Sequence, residues 1–200
     1  KARVKTHLRL KLSQEALQKQ NIVLEEKVKE RTKELADLQR EILERLGLAA
    51  DHRDEETGQH IKRMSEYCRL LGSTAGLSEA ENTILYEAST MHDVGKIGIS
   101  DAILLKPGKL TREEFETMKS HTVIGAKILS GSKSSFLQMA ATISLTHHEK
   151  WDGTGYPNGL KGEDIPMVGR ITCICDVFDA LISERPYKKP WPIEKAFEEI

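Results

Sequence analysis

The first 50 residues carry a different hydrophobic pattern from the rest of the chain. They contain no proline, and their single glycine is Gly47. Leu10, Leu17, Leu24 and Leu38 recur at the d position of a heptad frame, and Val28, Leu35, Ile42 and Ala49 at a. Charged residues crowd the other positions. This predicts one long helix over 1–49. Two arrangements bury such a stripe: a parallel homodimeric coiled coil over residues 10–46, or a single amphipathic helix lying on its own domain. Asn21 falls at a, where it would pair with its twin in a two-stranded parallel coil at some cost in stability. Arg31 and Arg45 fall at d and weaken the seam, which leaves room for shifts of register or rotation.

From about residue 50 the apolar spacing stays helical but comes in shorter runs, over roughly 54–72, 78–94, 111–130, 134–149, 165–183 and 192–200. Thr111 opens a capping box with Glu114, and Ser78 opens another with Glu81. Pro192 suits a first helical turn. Alternation of period two is nearly absent. The fold class expected is therefore all-α, a helical bundle over 50–200 preceded by the long helix, with one extended loop at 150–164.

Composition narrows the function. Lys plus Arg number 30 against 31 Asp plus Glu, so there is no electrostatic case for a nucleic acid polymer or an anionic membrane. No apolar stretch approaches the roughly 20 residues that span a bilayer, and the basic, interrupted KARVKTHLRLKL is no signal peptide. Three cysteines, read as buried thiols, suit a reducing compartment, which makes the cytoplasm the expected location. The chain opens without Met and EKAFEEI stops without a cap signal, so it reads as a fragment of something longer.

Its seven histidines hold the candidate chemistry. Glu56 and His60 in ETGQH are four apart and share a helix face. His92 and Asp93 follow an apolar run within MHDVGK. His121 precedes the apolar face of VIGAKIL, and His147 and His148 close a helix before the Gly-rich WDGTGYP. Asp176 sits inside the otherwise apolar ITCICDVFDAL, where a lone carboxylate costs free energy unless it is paired or metal-bound. Singly, each histidine is better explained as a helix cap or a surface residue than as a ligand. Together they bring imidazole and carboxylate donors from five helices, a set that suits Fe, Mn or Zn and not a thiolate structural zinc site.

The segments ETGQH, HDVGKIGISDAIL, KSHT, HHEKWDGTGYPNGLKGEDIP and DVFDALISERPYK, in this order, resemble the HD-GYP family of metal-dependent phosphodiesterases, a branch of the HD superfamily. The resemblance covers roughly residues 48–200 and implies that the last part of the domain is missing after Ile200. It implies cyclic di-GMP as substrate, cleaved to pGpG, to GMP, or to both, at two or three divalent metal ions, iron or manganese. The implied ligands are His60, His92, Asp93, His121, His147, His148 and Asp176, with Asp93 bridging two metals and Glu56 helping to hold a third. Lys96 and Arg185 match positions that contact substrate phosphate, and Asp93 and Lys96 are the catalytic candidates. Asp54, Asp152, Asp179 and Arg53 are candidates to orient the ligating histidines, ordinary capping or ion pairing being the alternative. The opening KARVKTHL ahead of the heptads resembles the exit from a receiver domain, implying a bacterial response regulator. Two other functions fit the same residues: a hydrolase of another cyclic dinucleotide, and a non-catalytic module that senses nucleotide or docks a partner through Trp151–Pro157.

Overall fold

The computed structural model describes residues 2–51, 53, 58–184 and 189–200, and among these every regular element is helical. The chain divides into two compact units, Lys1–Leu43 and Glu44–Ile200.

The first unit lies within α1 (Ala2–Asp51), which runs unbroken through the heptads. The apolar heptad residues Leu10, Leu17, Leu24, Val28, Leu35, Leu38 and Ile42 are each 49–60% exposed. No described helix is long and apolar enough to cross a membrane.

The second unit is a helical bundle: α2 (Gly58–Thr74), α3 (Glu79–Ser89), α4 (Asp101–Leu104), α5 (Arg112–Lys119), α6 (His121–Leu129), α7 (Ser135–Thr146), α8 (Met167–Ile182) and α9 (Ile193–Glu199). Helix α2 packs on α3 and α8, and α7 packs on the same two, so these four close a ring. Their inward residues recur at helical spacing: Met64 and Cys68, Leu85 and Ala88, Ala140 and Ile143, Ile171 and Cys175. Helix α6 packs on α7 and on a 3-10 turn, Val94–Gly98, and adds Leu129 to the core. Both expected capping boxes form, Ser78 with Glu81 and Thr111 with Glu114.

Two expected helices are shorter than their apolar patterns, for the same reason. The run over 111–130 breaks at Ser120, where Ser120 Oγ donates to Thr117 O (2.6 Å), Thr122 Oγ1 donates to Lys119 O (2.9 Å), and His121 Nδ1 lies 2.7 Å from Met118 O. The run over 78–94 ends at Ser89, with Ser89 Oγ donating to Tyr86 O, Thr90 Oγ1 to Glu87 O, and His92 Nδ1 placed 2.9 Å from Ser89 O. Each side chain takes a carbonyl three residues back, which competes with the regular ladder and closes the helix early.

Candidate metal centre

Those tightened helix ends are where the candidate ligands stand. His92 and Asp93 follow α3, His121 links α5 to α6, and His147 caps α7 with His148 behind it. His60 lies in the first turn of α2, and Asp176 in the middle of α8. Asp93, His121, His147 and His148 each bring a donor atom within 4.8 Å of the others, and His60, His92 and Asp176 form a second such group.

Asp93 joins the two groups. Its Oδ1 lies 3.1 Å from His121 Nε2 and 3.5 Å from His147 Nε2, while its Oδ2 lies 3.4 Å from His92 Nε2 and 2.8 Å from Lys96 Nζ. His60 Nε2 is 3.4 Å from Asp176 Oδ1.

The distal ring nitrogens set the state of the proximal ones. His92, His121 and His147 present Nδ1 to backbone carbonyls, His147 to those of Ile143 and Ser144 at 3.1 Å each. A carbonyl only accepts, so Nδ1 carries the proton and Nε2 of the neutral ring keeps its lone pair. His60 Nδ1 meets Asp179 Oδ2 at 2.7 Å, with the same effect. Lone pairs of several imidazoles thus converge on carboxylate oxygens, an acceptor-against-acceptor arrangement that a cation resolves.

The charges agree with this. Burial would raise the Asp93 carboxyl, but Lys96 and then His92 hold it well below the usual carboxylate range. Burial lowers His147, and burial together with His147 takes His148 to about 2. An ionised carboxylate beside the neutral imidazoles of His147 and His148 is the ligand-competent state, and the donor set suits a divalent cation.

Asp179 is buried and accepts from Arg63 Nε (2.7 Å) and Nη2 (2.9 Å) as well as facing His60. Burial would raise its carboxyl, yet His60 and Arg63 take it to about 2. Asp179→Asn is expected to lower divalent-metal affinity about 10- to 100-fold, the usual effect of removing the partner of a ligating histidine. Metal titration checks this, and unchanged affinity would show that His60 needs no such partner.

Other candidates stand elsewhere. The expectation that Asp152 sits beside a ligating histidine is corrected: it is exposed, and its Oδ1 accepts from Thr154 N (2.9 Å) and Thr154 Oγ1 (2.7 Å), turning the loop. Arg53 grips the backbone behind Lys96, donating to the carbonyls of Lys96, Ile97 and Ile99 at 2.7–3.1 Å, and pairs with Asp101 at 2.7 Å. Glu56, Asp54 and Arg185 lie outside the described residues.

Two residues with clear positions here were given no role from sequence. Arg63 is one turn beyond His60 on α2, a spacing that could have suggested a shared partner. Glu149 directly follows the paired histidines and is buried; it accepts from Asn158 N (2.7 Å) and Leu160 N (2.9 Å), so one carboxylate holds the far side of the 150–164 loop. A carboxylate before a long loop, whose backbone N–H groups need acceptors, was the available signal. The loop returns to the histidines: Tyr156 N donates to His148 O (3.1 Å), and its ring stands 4.7 Å from that of His148. Burial, then the Asp93 charge, raises the Tyr156 phenol. Gly155 has no room for a side chain, because a Cβ there would run into the backbone of His148, Glu149 and Lys150.

Comparison with known proteins agrees with this arrangement. The family model described as HD domain matches residues 46–200. A cyclic di-GMP phosphodiesterase of Thermotoga maritima is 49% identical over 185 residues, covering 92% of this chain and 50% of that protein. The cyclic di-GMP phosphodiesterase response regulator RpfG of Xanthomonas campestris is 44% identical over 196 residues, 98% of this chain and 52% of its own. The 3'3'-cGAMP-specific phosphodiesterase 2 of Vibrio cholerae is 48% identical over 167 residues, 84% of this chain and 32% of its own. A solved structure of a cyclic GMP-AMP-specific phosphodiesterase from V. cholerae (V-cGAP3) shares the fold, with a TM-score of 0.57 and 23% identity over 80% of this chain and 43% of that one. The chain spans about half the length of the first two relatives and a third of the next. With a histidine–aspartate pair at the junction of its two donor groups and a matching family model over residues 46–200, the chain belongs to the HD-domain family.

Proposed function

We propose that this chain is a metal-dependent phosphodiesterase that hydrolyses cyclic di-GMP to pGpG, GMP or both. The observation that carries the reading is the pair of donor groups joined through Asp93, one on each of its oxygens. The Thermotoga and Xanthomonas relatives, both cyclic di-GMP phosphodiesterases by name, support the same substrate. In this reading His60, His92 and Asp176 would hold one ion and His121, His147 and His148 a second, with Asp93 available to both. Iron or manganese suits mixed imidazole and carboxylate donors; a third ion would draw on Glu56.

Ions bound there supply Lewis acidity and a water of lowered pKa. The chain's own residues do the rest. Lys96 Nζ, 2.8 Å from Asp93 Oδ2, sets a fixed positive charge where a phosphodiester oxygen gains negative charge, and Arg185 is a second such donor. Asp179 and four backbone carbonyls hold the imidazoles so that no proton competes at Nε2. Glu149 and Gly155 fold the loop so that Tyr156 walls the site.

The deciding experiment is metal analysis and assay with cyclic di-GMP after purification with iron or manganese. Metal-replete protein that yields no pGpG or GMP would sink the reading. A second substrate, 3'3'-cGAMP, deserves the same assay because a relative specific for it is 48% identical.

For the N-terminal unit we propose a parallel homodimer through residues 10–46, as the output side of a cytoplasmic response regulator with a receiver domain upstream. The exposed heptad stripe and the response-regulator relative support this. Asn21→Leu is expected to tighten the assembly or raise its order, since a polar a position specifies two strands at a cost in stability. Light-scattering mass and thermal stability both unchanged would count against a buried Asn21.

A further inference from the structure

We propose that Phe115, Lys119 and Tyr156 form a purine subsite beside the metal centre, and that Lys119 makes it select guanine. This rests on the phosphodiesterase reading above and names how that site would choose its substrate.

Tyr156 is the link. Its ring packs 4.7 Å from that of His148 and 6.4 Å from that of His121. Phe115, on α5, stands one ring further out, 6.3 Å from Tyr156 and nearly perpendicular at 78°. Although large and apolar, Phe115 is 45% exposed, so much of its surface is open to a ligand. Lys119 lies four residues on, on the same face of α5, and places Nζ 5.0 Å over the Phe115 ring and 5.5 Å over the Tyr156 ring. An ammonium thus sits between two aromatic rings a short step from the candidate ligands. Its carboxylate partner is Glu116 at 2.8 Å, the lysine side chain being 27% and the glutamate 60% exposed. An i,i+3 pair whose carboxylate is open to water contributes little, so Lys119 can exchange it for a ligand.

The chemistry of this corner fits a nucleobase. A diester phosphate at the metals would leave its base about one sugar's width away, and the Tyr156 and Phe115 rings stand one and two rings out from His148. Aromatic side chains stack on any base and so give affinity without selectivity. Selectivity comes from the ammonium, which only donates. Guanine offers O6 and N7 as acceptors, whereas adenine puts an amino donor where guanine has O6. N7 accepts in both bases, so the discrimination lies at the six position, where Lys119 meets an acceptor in guanine and another donor in adenine.

The test uses the full chain, loaded with manganese, and compares wild type with Phe115→Ala and Lys119→Met. In wild type, kcat/KM for cyclic di-GMP should exceed that for cyclic di-AMP by at least about tenfold, a difference one unpaired polar contact can produce. Lys119→Met should bring that ratio close to one, and Lys119→Arg should restore part of it. Phe115→Ala should raise KM for cyclic di-GMP about tenfold, well beyond its effect on bis(p-nitrophenyl) phosphate, a diester without a purine; Phe115→Trp should recover the loss. Equilibrium dialysis with GMP and AMP, which have no diester to cleave, gives a readout independent of turnover: wild type should favour GMP and Lys119→Met should not. A guanine preference that survives Lys119→Met in both measurements would overturn the proposal while leaving the phosphodiesterase reading intact. Wild-type protein that cleaves neither diester would overturn that reading instead, and equal binding of GMP and AMP by wild type would then overturn the subsite as well.

Discussion

Asp93→Asn is expected to cost at least about a thousandfold in phosphodiesterase turnover, and to strip the protein of most of its bound metal, with little loss of fold. The size follows from removing catalysis worth several kcal/mol at a metal centre. The selectivity follows from the geometry. Asp93 Oδ1 faces the Nε2 atoms of His121 and His147, and its Oδ2 faces His92 and Lys96. Asparagine has the same shape, but its amide nitrogen donates hydrogen bonds and offers no lone pair to a cation. Turned toward His121 and His147, that NH2 satisfies the two lone pairs a metal would use. The metal-free variant should therefore unfold within about 1 kcal/mol of the metal-free wild type, since the hydrogen bonds gained at His121 and His147 offset the charge lost opposite Lys96. Metal content, turnover and urea unfolding together check this. An Asp93→Asn protein that keeps its full metal complement and activity within tenfold of wild type would remove Asp93 from the proposed centre.

Gly95→Ala should have the largest effect on stability of any single methyl added to the bundle, about 3 kcal/mol or more. A Cβ on Gly95 would collide with the carbonyl oxygen of His121 and with the amide nitrogen of Gly125. Both obstacles are backbone, so no rotamer change relieves them. The 3-10 turn Val94–Gly98 and helix α6 would have to separate, and that separation carries Asp93 away from His121. Stability and metal affinity should fall together. Gly76→Ala is a useful contrast, because its cost is conformational: φ is +90° and nothing stands within 4 Å of the added methyl. It should lower stability by about 1 kcal/mol and leave metal binding alone. If Gly95→Ala unfolds within 1 kcal/mol of wild type, the turn and α6 are not locked as described.

The all-α class was legible because the apolar spacing after residue 50 is helical throughout, and because both capping boxes announce their helices. The donors were legible too, since His60, His92, Asp93, His121, His147, His148 and Asp176 are unusual residues at the edges of apolar runs, and the structure gathers all seven into two groups. Helix ends were harder to read. Periodicity continues through Ser120 and through His92, and only the hydroxyls and imidazoles that take carbonyls three residues back end the helices there. Pairings across the chain were hidden for another reason. Arg63 meets Asp179 through a contact 116 residues apart, and Glu149 serves backbone N–H groups that have no sequence identity to recognise. Asp152 misled because ligating histidines usually donate to a carboxylate, whereas an aspartate two residues before Thr154 has a local turn to make.

Helices α3 and α7 end at the candidate centre, while α2 and α6 begin there with His60 and His121. A helix carries roughly half a positive charge at its N-terminus and half a negative one at its C-terminus, so the four poles largely cancel. What remains is set by side chains, the Asp93 and Asp176 carboxylates against the ammonium of Lys96. On the proposed reading, that balance gives a doubly anionic cyclic dinucleotide little reason to dock until divalent ions add their charge, so metal loading would precede nucleotide.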